Sequence, residues 1–482
     1  MKNIRGLFRE HMFFICSVTL YVSIIAYKLI AHPTPFFDWD EPLYVQGGIE
    51  MLRNKYFLFP LWQGHIWFDK PPLSSLLYGL VTLLPFPAEV ATRMLALSVS
   101  TAILALFYMF YYRIIKHTQV ATLAALSTAF APIFLQRSQV VSLDVFLLVG
   151  WIGYFIFQKN LIISTLFLFL SIQSKSLLGF YPLIMQGLFI FFEFFRKKIT
   201  RKELSEYARA LLIQGIVLSL WYIAMLLIYG NQFWNAHIIE SHFKRVSSSI
   251  ESHFGQRTFY IDLLIEQLGW LKISALIGLG TIIYQWRKGI LDDKKIFLAT
   301  VFIPWFLFLN ITKTKIAWYL YPVIPQFMFL SFYPLVLLKK KSRITQVVTA
   351  VCLVVILYTG FVKKDLMNTY YSTPAPHIRA AMYARGSCAT MAVLVDAQTR
   401  TTYQTLRDMN LTITTSNWWG DHPSMVYYFA KPIYFFYDKN MFLAQSEKYE
   451  CILMHGIDGK LPPKKTNIIG VFDDYALYKT HL

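Results

Sequence analysis

The sequence predicts a polytopic α-helical membrane protein that ends in a small α/β domain. Of its 482 residues, 56% are hydrophobic and only 15% are charged, and the apolar residues stand in long runs. Soluble domains carry about a quarter charged residues. A chain this apolar would expose very large hydrophobic patches in water, so lipid must cover part of its surface.

Eleven apolar runs are long enough, or nearly so, to cross a bilayer, which takes about 20 residues. They are 11–31, 94–112, 118–135, 140–157, 161–173, 177–195, 207–229, 268–286, 296–311, 316–338 and 344–362. The first run follows a basic stretch, as in a signal peptide. It is too long for the apolar core of a signal peptide and lacks a clear cleavage site, so we expect an uncleaved helix.

The net charge of +19 reflects the loop bias of membrane proteins rather than a nucleic-acid partner. Tight basic clusters, such as 196–198 and 339–341, follow spans that end on one side, whereas the basic residues of the other side are spread over long loops. Clusters of this kind mark the cytoplasmic side. With eleven spans, the N-terminus is cytoplasmic and the C-terminal domain extracytoplasmic. Without the short run 161–173, cluster 196–198 would lie outside.

The predicted division is a membrane domain at 1–362, with outer loops at 32–93 and 230–267, and a domain at 363–482. The second domain is more polar, and its alternation of short strands and helices is typical of an α/β fold. The strands are expected at 391–396, 432–437, 451–455 and 467–472, and the helices at 376–385, 400–408 and 440–448. Cys388 and Cys451 would be able to pair if this domain is exported, which the sequence leaves open.

The first outer loop contains Asp40 and Glu41 directly before Pro42. Proline suits the first position of a helix, and acids suit the positive end of its dipole, so a helix is expected over 42–53. One interpretation is an interfacial helix whose apolar side chains reach into lipid. Those side chains are Tyr44, Val45, Ile49, Met51 and Leu52. The other interpretation is a carboxylate held at the membrane surface to deprotonate or hold an acceptor hydroxyl.

The same loop continues with Lys70, Pro71 and Pro72. The prolines predict a second helix, whose first free N–H groups belong to Leu73 and Ser74. A helix start beside an ammonium group forms an anion site suited to a phosphate. An ordinary lysine at a helix entrance is the alternative.

Together these stretches resemble the first outer loop of GT-C glycosyltransferases of the bacterial aminoarabinose-transferase and protein O-mannosyltransferase type. The family pattern is Asp-Glu, Tyr, Met-Leu, Pro, Gly and then an aromatic-acid-Lys-Pro-Pro-Leu string. Here it reads Asp40-Glu41, Tyr44, Met51-Leu52, Pro60, Gly64 and Phe68-Asp69-Lys70-Pro71-Pro72-Leu73. Later stretches are similar to the family in the same order, over about residues 10–340. They contain Arg93, Asp144 after Ser142-Leu143, Lys175 after Ser174, Arg245 after Lys244, and Lys315 with Tyr319.

The resemblance implies an inverting transfer of a sugar from a polyprenyl-phosphate donor at the outer face of the inner (cytoplasmic) membrane. The acceptor would be a lipid, a glycan or a protein. Asp40 is the expected catalytic base, and Glu41 and Asp144 orient it or the acceptor. The expected ligands of the donor phosphate and substrate are Tyr44, Lys70, Arg93, Lys175, Arg245, Lys315 and Tyr319. Asp144 stands inside an apolar run, where a charge requires a cavity or a partner such as Arg93 or Arg137.

Two residues depart from the family pattern: Leu43 replaces a common arginine, and Asp69 replaces a frequent glutamate. In some relatives that acid and a histidine hold a metal ion. Asp69 and His242 are weak candidates here, because two ligands make an incomplete site; the cofactor is unknown, with a divalent cation as one option.

The alternative functions are a transporter or flippase of a lipid-linked or anionic substrate, with an exported accessory domain, and a non-enzymatic scaffold. A transporter would predict an internal repeat, and the sequence has none that we find.

Overall fold

The computed structural model describes residues 2–37, 39–250, 253, 255–338, 342–363, 374–394, 412–413, 422–436, 438–455 and 466–480. Its helices up to the end of the bundle are α1 (Lys2–Ala31), α2 (Asp40–Asn54), α3 (Leu73–Val81), α4 (Ala88–Ile115), α5 (Thr118–Ala129), α6 (Pro132–Arg137), α7 (Asp144–Phe157), α8 (Leu161–Lys175), α9 (Tyr181–Phe195), α10 (Arg201–Phe233), α11 (Lys244–Ser247), α12 (Phe259–Leu268), α13 (Lys272–Arg287), α14 (Asp293–Thr300), α15 (Ile303–Ile311), α16 (Ile324–Phe332) and α17 (Arg343–Leu357). The remaining helices are α18 (Pro376–Ser387), α19 (Pro423–Phe429) and α20 (Lys439–Gln445).

Short 3-10 and π-helical stretches join several of these helices. They are Ser176–Phe180, Trp234–Phe243, Gly269–Leu271, Ala317–Val323, Tyr333–Leu337, Tyr358–Lys363 and Ser446–Lys448. The strands are β1 (Leu61–Trp62), β2 (His65–Ile66), β3 (Ser249–Ile250), β4 (Met391–Leu394), β5 (Thr412–Ile413), β6 (Ile433–Phe436), β7 (Cys451–His455), β8 (Thr466–Phe472) and β9 (Tyr475–Thr480).

The long apolar helices make this a multi-pass membrane protein. Within the described residues, seven helices are long and apolar enough to cross a membrane, and the pair α14–α15, bent by 42°, makes an eighth if it is one span. The predicted eleven spans are not confirmed. Two of the expected spans form helices of only 12 and 14 residues, α5 and α7. Almost all of their side chains are buried by other helices, so their apolar sequence reflects the protein core rather than lipid contact.

The chain reverses between α8 and α9, although together they form one apolar segment of 35 residues. The turn is Ser176–Phe180, in which Ser176 has φ 56°. Directly after α9, Arg196 pairs with Asp293 at 3.2 Å. Directly before α8, Lys159 lies close enough to Lys294 for their charges to repel. The start of α8 and the end of α9 therefore lie at the same end of the bundle, as two antiparallel spans require.

The first outer loop folds into α2, the antiparallel β1–β2 hairpin and α3. The predicted helices are both confirmed, and α2 begins two residues earlier than expected. The two helices cross with their backbones in contact at Gly48 and Gly79, where a Cβ on Gly48 would lie 1.9 Å from the carbonyl oxygen of Ser75. The expected lipid contact of α2 is wrong, because Tyr44 and Met51 are buried within the protein.

The C-terminal residues form a five-stranded sheet in the order β6-β4-β7-β9-β8. Strand β4 is parallel to β6 and β7, and β9 is antiparallel to β7 and β8. The four predicted strands are confirmed, whereas β9 and α19 were not predicted. The helix expected at 400–408 lies outside the described residues, and the domain boundary at 362–363 stays a prediction. Cys388, after α18, is bonded to Cys451 at the start of β7.

Replacing Gly48 with alanine should destabilise the protein, because the new Cβ would force α2 and α3 apart. Overpacking of this kind costs about 1–3 kcal/mol. Gly280, on α13, is the matched control, since a Cβ added there has no described atom within 4 Å. In thermal unfolding of detergent-purified protein, Gly48→Ala should unfold several degrees below wild type and Gly280→Ala should not. Equal midpoints for wild type and Gly48→Ala would contradict the close crossing.

Candidate active site

A buried ion pair between Glu41 and Arg93 fixes the start of α2. The Arg93 Nε donates to Glu41 Oε1 at 2.9 Å, and Nη2 donates to Oε2 at 2.6 Å. Both side chains are only 2% exposed. The guanidinium also donates to the carbonyl oxygens of Thr34 at 2.8 Å and Pro35 at 3.0 Å. The pair therefore ties α4 to α2 and to the chain that leads into α2.

The Glu41 carboxylate accepts two further hydrogen bonds from backbone N–H groups. Phe37 donates at 2.7 Å and Val141 donates at 2.9 Å. With these bonds and Arg93, both carboxylate oxygens of Glu41 are occupied. Glu41 and Arg93 thus hold Asp40 in position, and the structure does not bring them to the cavity described below. The sequence-based expectation of Arg93 as a phosphate ligand has no geometric support.

Asp40 is the first residue of α2, and its side chain is 34% exposed. Its Oδ2 lies 3.8 Å from Arg137 Nη1, and the Tyr44 hydroxyl is 3.4 Å from its Oδ1. Removal from bulk water raises the pKa of Asp40; the charge of Arg137 lowers it, and that of Asp144 raises it further. The preceding residue, Trp39, has φ 73°, a strained conformation for a bulky side chain.

Arg137 is a site residue that the sequence suggested only as a possible partner of Asp144. It ends α6, is buried, and lies with its guanidinium 4.1 Å from the ring centroid of Trp318. In the described part of the chain its Nε has no hydrogen-bond partner. In the sequence, Arg137 is a single basic residue after an apolar run, which is also typical of an ordinary loop charge. Its position beside Asp40 follows only from tertiary packing.

Asp144 and Lys175 form a second buried ion pair next to Asp40. The Lys175 ammonium donates to Asp144 Oδ1, and the Ser142 hydroxyl is 3.3 Å from Oδ2. The partner of Asp144 is therefore Lys175 rather than Arg93 or Arg137. Lys175 also lies 4.9 Å above the ring of Tyr319. The charge of Asp144 raises the pKa of Asp40 and that of Lys175 lowers it, so the pair lies close to Asp40.

A cavity of about 210 Å³ opens beside these residues and has a polar and an apolar part. The polar lining includes Lys70, Lys175, Arg245 and Tyr319. An Arg245 Nη1–H donates to the Tyr319 hydroxyl at 2.9 Å, so these two side chains are held together. The apolar lining consists of Leu177, Leu178, Phe243, Val246, Trp305, Phe308 and Leu309. The cavity thus presents cations and a hydroxyl next to a hydrophobic wall.

Asp69 lies at the polar part of the cavity, between two cations. Lys70 and the Ser241 hydroxyl donate to its carboxylate, and Arg245 Nη2 is 3.6 Å away. Burial alone would raise the pKa of Asp69, but Lys70, Arg245 and the two hydrogen bonds hold it well below its usual range. The charge of Asp69 is therefore already balanced by protein.

The weak candidates Asp69 and His242 do not form a metal site in the described residues. The carboxylate of Asp69 is occupied by Lys70 and Arg245, and the Nδ1 of His242 lies 2.7 Å from the carbonyl oxygen of His237, which leaves Nε2 as its single remaining nitrogen. No group of three or more histidine, cysteine or acidic side chains in the described ranges is arranged to hold a metal. A cation next to Lys70 and Arg245 would also be repelled.

Lys315 lies behind the cavity wall rather than in it. Its ammonium donates to the carbonyl oxygens of Leu309 at 3.1 Å and Asn310 at 3.2 Å, near the end of α15. Its backbone N–H donates to His253 of the long outer loop at 2.7 Å. Lys315 thus joins α15 to that loop, and it is not among the described residues that line the cavity.

Asp40, Asp144, Lys70, Lys175 and Arg245 all meet at one end of the bundle, together with Tyr44 and Tyr319.

Comparison with known proteins bears on the fold that places them there. No protein-family model matches the chain, and no curated protein matches it in sequence. Two crystal structures of ArnT from Cupriavidus metallidurans match it in structure.

The apo ArnT structure has a TM-score of 0.68 and 13% identity, over 96% of this chain and 97% of ArnT. The structure bound to undecaprenyl phosphate has a TM-score of 0.65 and 12% identity, over 97% of each chain. The fold is therefore the predicted GT-C type. The match extends over the C-terminal domain, for which the sequence showed no resemblance. The S. cerevisiae protein O-mannosyltransferase Pmt1–Pmt2 complex bound to its sugar donor matches 52% of this chain and 36% of that chain, with 17% identity and a TM-score of 0.37.

Replacing Asp69 with asparagine should destabilise the protein at neutral pH, because Lys70 and Arg245 lose their shared counter-charge. The folded-state pKa of Asp69 lies below its unfolded value, so its stabilising effect is complete above the unfolded pKa and is lost as the pH falls toward the folded one. The gap in unfolding temperature between wild type and Asp69→Asn should be constant above about pH 5 and narrow below about pH 4.

The matched control for Asp69→Asn is Asp473→Asn, which removes an exposed carboxylate paired with Arg379. Exposed ion pairs contribute little, about 0–1 kcal/mol, so this variant should unfold close to wild type. Thermal unfolding measured from pH 3 to pH 8 checks both variants. A gap for Asp69→Asn that widens in acid would contradict the assigned direction of the pKa shift.

Proposed function

We propose that the protein is an integral-membrane glycosyltransferase that transfers a sugar from a polyprenyl-phosphate donor to a hydroxyl acceptor. The observation that carries this proposal is a partly exposed carboxylate, Asp40, beside the ion pair of Asp144 and Lys175. Lys175 and Lys70 line the cationic, half-apolar cavity, and the charges of both lower the pKa of Asp40. The fold shared with ArnT, one structure of which holds undecaprenyl phosphate, supports a transferase over a transporter or flippase.

The cavity suits a lipid phosphate better than a soluble anion. The two cations Lys70 and Arg245, together with the Tyr319 hydroxyl, offer donors to phosphate oxygens. The hydrophobic wall formed by Trp305, Phe308 and their neighbours continues from these donors and would contact the first isoprene units. Asp69 holds Lys70 and Arg245 in place beside the cavity.

In the proposed reaction the acceptor oxygen attacks the anomeric carbon of the sugar from the side opposite to the phosphate. The bond between the anomeric carbon and the phosphate oxygen breaks, and the phosphate leaves with the electron pair. Lys70, Arg245 and Tyr319 stabilise the charge that this oxygen gains. Asp40 takes the proton of the acceptor hydroxyl, and attack from the opposite side inverts the anomeric centre. Burial raises the pKa of Asp40 toward the working pH, and general-base catalysis is most effective when the pKa of the base lies near that pH.

We place the site and the C-terminal domain at the outer face of the inner membrane. Disulfides persist in oxidising compartments, so the bond between Cys388 and Cys451 supports an extracytoplasmic domain. The opposite end of the bundle carries the basic residues 196–198, a cluster typical of the cytoplasmic side.

Replacing Asp40 with asparagine should abolish sugar transfer, because the amide cannot accept the proton of the acceptor. The loss should be about 100-fold to 10,000-fold in kcat. Purified protein incubated with radiolabelled polyprenyl-phosphate sugars and membrane acceptors provides the measurement. In wild type, the acid limb of the pH–rate profile should lie above the ordinary aspartate value of about 3.9.

The control for Asp40→Asn is Asp262→Asn, which changes an exposed carboxylate on α12. It should transfer sugar at the wild-type rate. Asp40→Asn should still unfold at a temperature near that of wild type, which separates lost chemistry from lost folding. Full activity of a folded Asp40→Asn variant would remove Asp40 from the mechanism.

Labelling of thiols should show both the disulfide and the side of the membrane on which the C-terminal domain lies. In denatured, unreduced protein a maleimide should modify only Cys16 and Cys352, and after reduction all four cysteines should react. In intact cells with an exposed outer face, an impermeant maleimide should label the thiol of a Met441→Cys variant, because this side chain is exposed whereas Cys388 and Cys451 are buried. A double variant, Cys388→Ser with Cys451→Ser, controls for labelling elsewhere. Four reactive cysteines without reduction would contradict both the bond and the proposed orientation.

A further inference from the structure

We propose that Tyr428, a residue of the C-terminal domain, is a positioning residue for the active site: through Phe36 it fixes the Arg93–Glu41 pair that carries Asp40. This inference rests on the proposed function for its meaning in catalysis. It assigns a role to a domain for which the sequence offered none. The argument starts from the contacts that α19 makes with the chain between α1 and α2.

The hydroxyl of Tyr428 bridges two parts of the membrane domain. It accepts a hydrogen bond from the backbone N–H of Phe36 at 2.6 Å and donates one to Glu89 Oε1 at 2.8 Å. Glu89 belongs to the first turn of α4, four residues before Arg93. Tyr428 and Phe36 are both buried, so the bond between them is shielded from bulk water, and Glu89 is half-buried. One hydroxyl from the C-terminal domain thus ties the entry to α2 to the start of α4.

The ring of Phe36 contacts both the C-terminal domain and the ion pair. The ring of Tyr427 contacts it edge-on, with 5.0 Å between centroids. The guanidinium carbon of Arg93 is 5.5 Å from its centroid. A shift of Phe36 would therefore be transmitted directly to Arg93.

From Phe36 to Asp40 the path is short and consists of hydrogen bonds already described. The next residue, Phe37, donates its backbone N–H to Glu41, and the two preceding carbonyl oxygens, of Thr34 and Pro35, accept from Arg93. Glu41 is the neighbour of Asp40 and also holds the backbone of Val141. Each of these contacts depends on the position of residues 34–37.

Residues 34–37 have no regular secondary structure that would fix them by itself. The strained φ of 73° at Trp39 shows that the conformation before α2 is imposed by its surroundings. The C-terminal domain also reaches the other side of the site, since β5 pairs with β3, which follows Arg245 in the long outer loop. Tyr428 is the point where this domain bonds directly to the chain that positions Asp40.

The test compares full-length Tyr428→Phe with wild type in the transfer assay and in amide hydrogen exchange. This variant keeps the ring and removes the hydroxyl. The value of kcat should fall about tenfold, as expected for a small displacement of a catalytic group, while the KM for the donor stays within about twofold. The backbone amides of Phe37 and Val141, which bond to Glu41, should exchange several-fold faster. Tyr434→Phe, an exposed tyrosine of the same domain, should match wild type in all three measurements.

A second variant separates positioning from general loss of stability. Glu89→Gln keeps an acceptor for the Tyr428 hydroxyl and should retain most of the wild-type kcat, whereas Glu89→Ala should lose part of it. If Tyr428→Phe lowers only the unfolding temperature and leaves kcat and the Val141 exchange rate unchanged, the positioning role is refuted. If wild type transfers no sugar but Val141 exchanges faster in Tyr428→Phe, the proposed function fails and the positioning contact stands.

Discussion

The buried ion pair between Glu41 and Arg93 is the interaction on which the rest of the site depends. It joins α2, α4, the chain before α2 and the backbone at Val141, which comes shortly before α7. A buried pair is costly to form, and it is stable here because nearly every donor and acceptor that it offers is used. Removal of either partner would leave an uncompensated charge in the core. Glu41 is the neighbour of Asp40 and bonds to the backbone of Val141, shortly before Asp144, so this pair sets the distance between the two aspartates.

Around this pair the site alternates charges of opposite sign. Arg137 faces Asp40, Lys175 faces Asp144, and Lys70 with Arg245 faces Asp69. In a low-dielectric environment such pairing offsets part of the cost of burying each charge. Asp40 differs from the other two carboxylates, because its pair with Arg137 is long at 3.8 Å and its side chain is partly open. This difference supports its assignment as the group that exchanges a proton with a substrate.

Local sequence patterns predicted the elements of the site better than its pairing. Proline positions gave α2 and α3, and apolar runs gave the helices of the bundle. The ion-pair partners were not predictable from the sequence. Asp144 pairs with Lys175 rather than with Arg137 because α7 and α8 pack together in the folded protein. Hydrophobicity alone also cannot separate a helix buried in protein from one in lipid, so the sequence did not show that other helices cover α5 and α7. For the same reason the apolar face of α2, which packs inside the protein, suggested contact with lipid.

On the proposed function, the shortness of α7 sets the depth of the reaction in the membrane. Its 14 residues rise by about 21 Å, whereas the hydrocarbon core of a bilayer is about 30 Å thick. The end of α7 lies at the basic end of the bundle, because Arg113 donates to the carbonyl oxygen of Ile156 there. If Phe157, the end of α7, lies at one edge of the hydrocarbon core, Asp144 lies roughly 9 Å below the opposite edge. On the proposed function, the carrier's phosphate would then have to descend into a recess, or the membrane would have to thin around the protein, before the sugar reaches the acceptor.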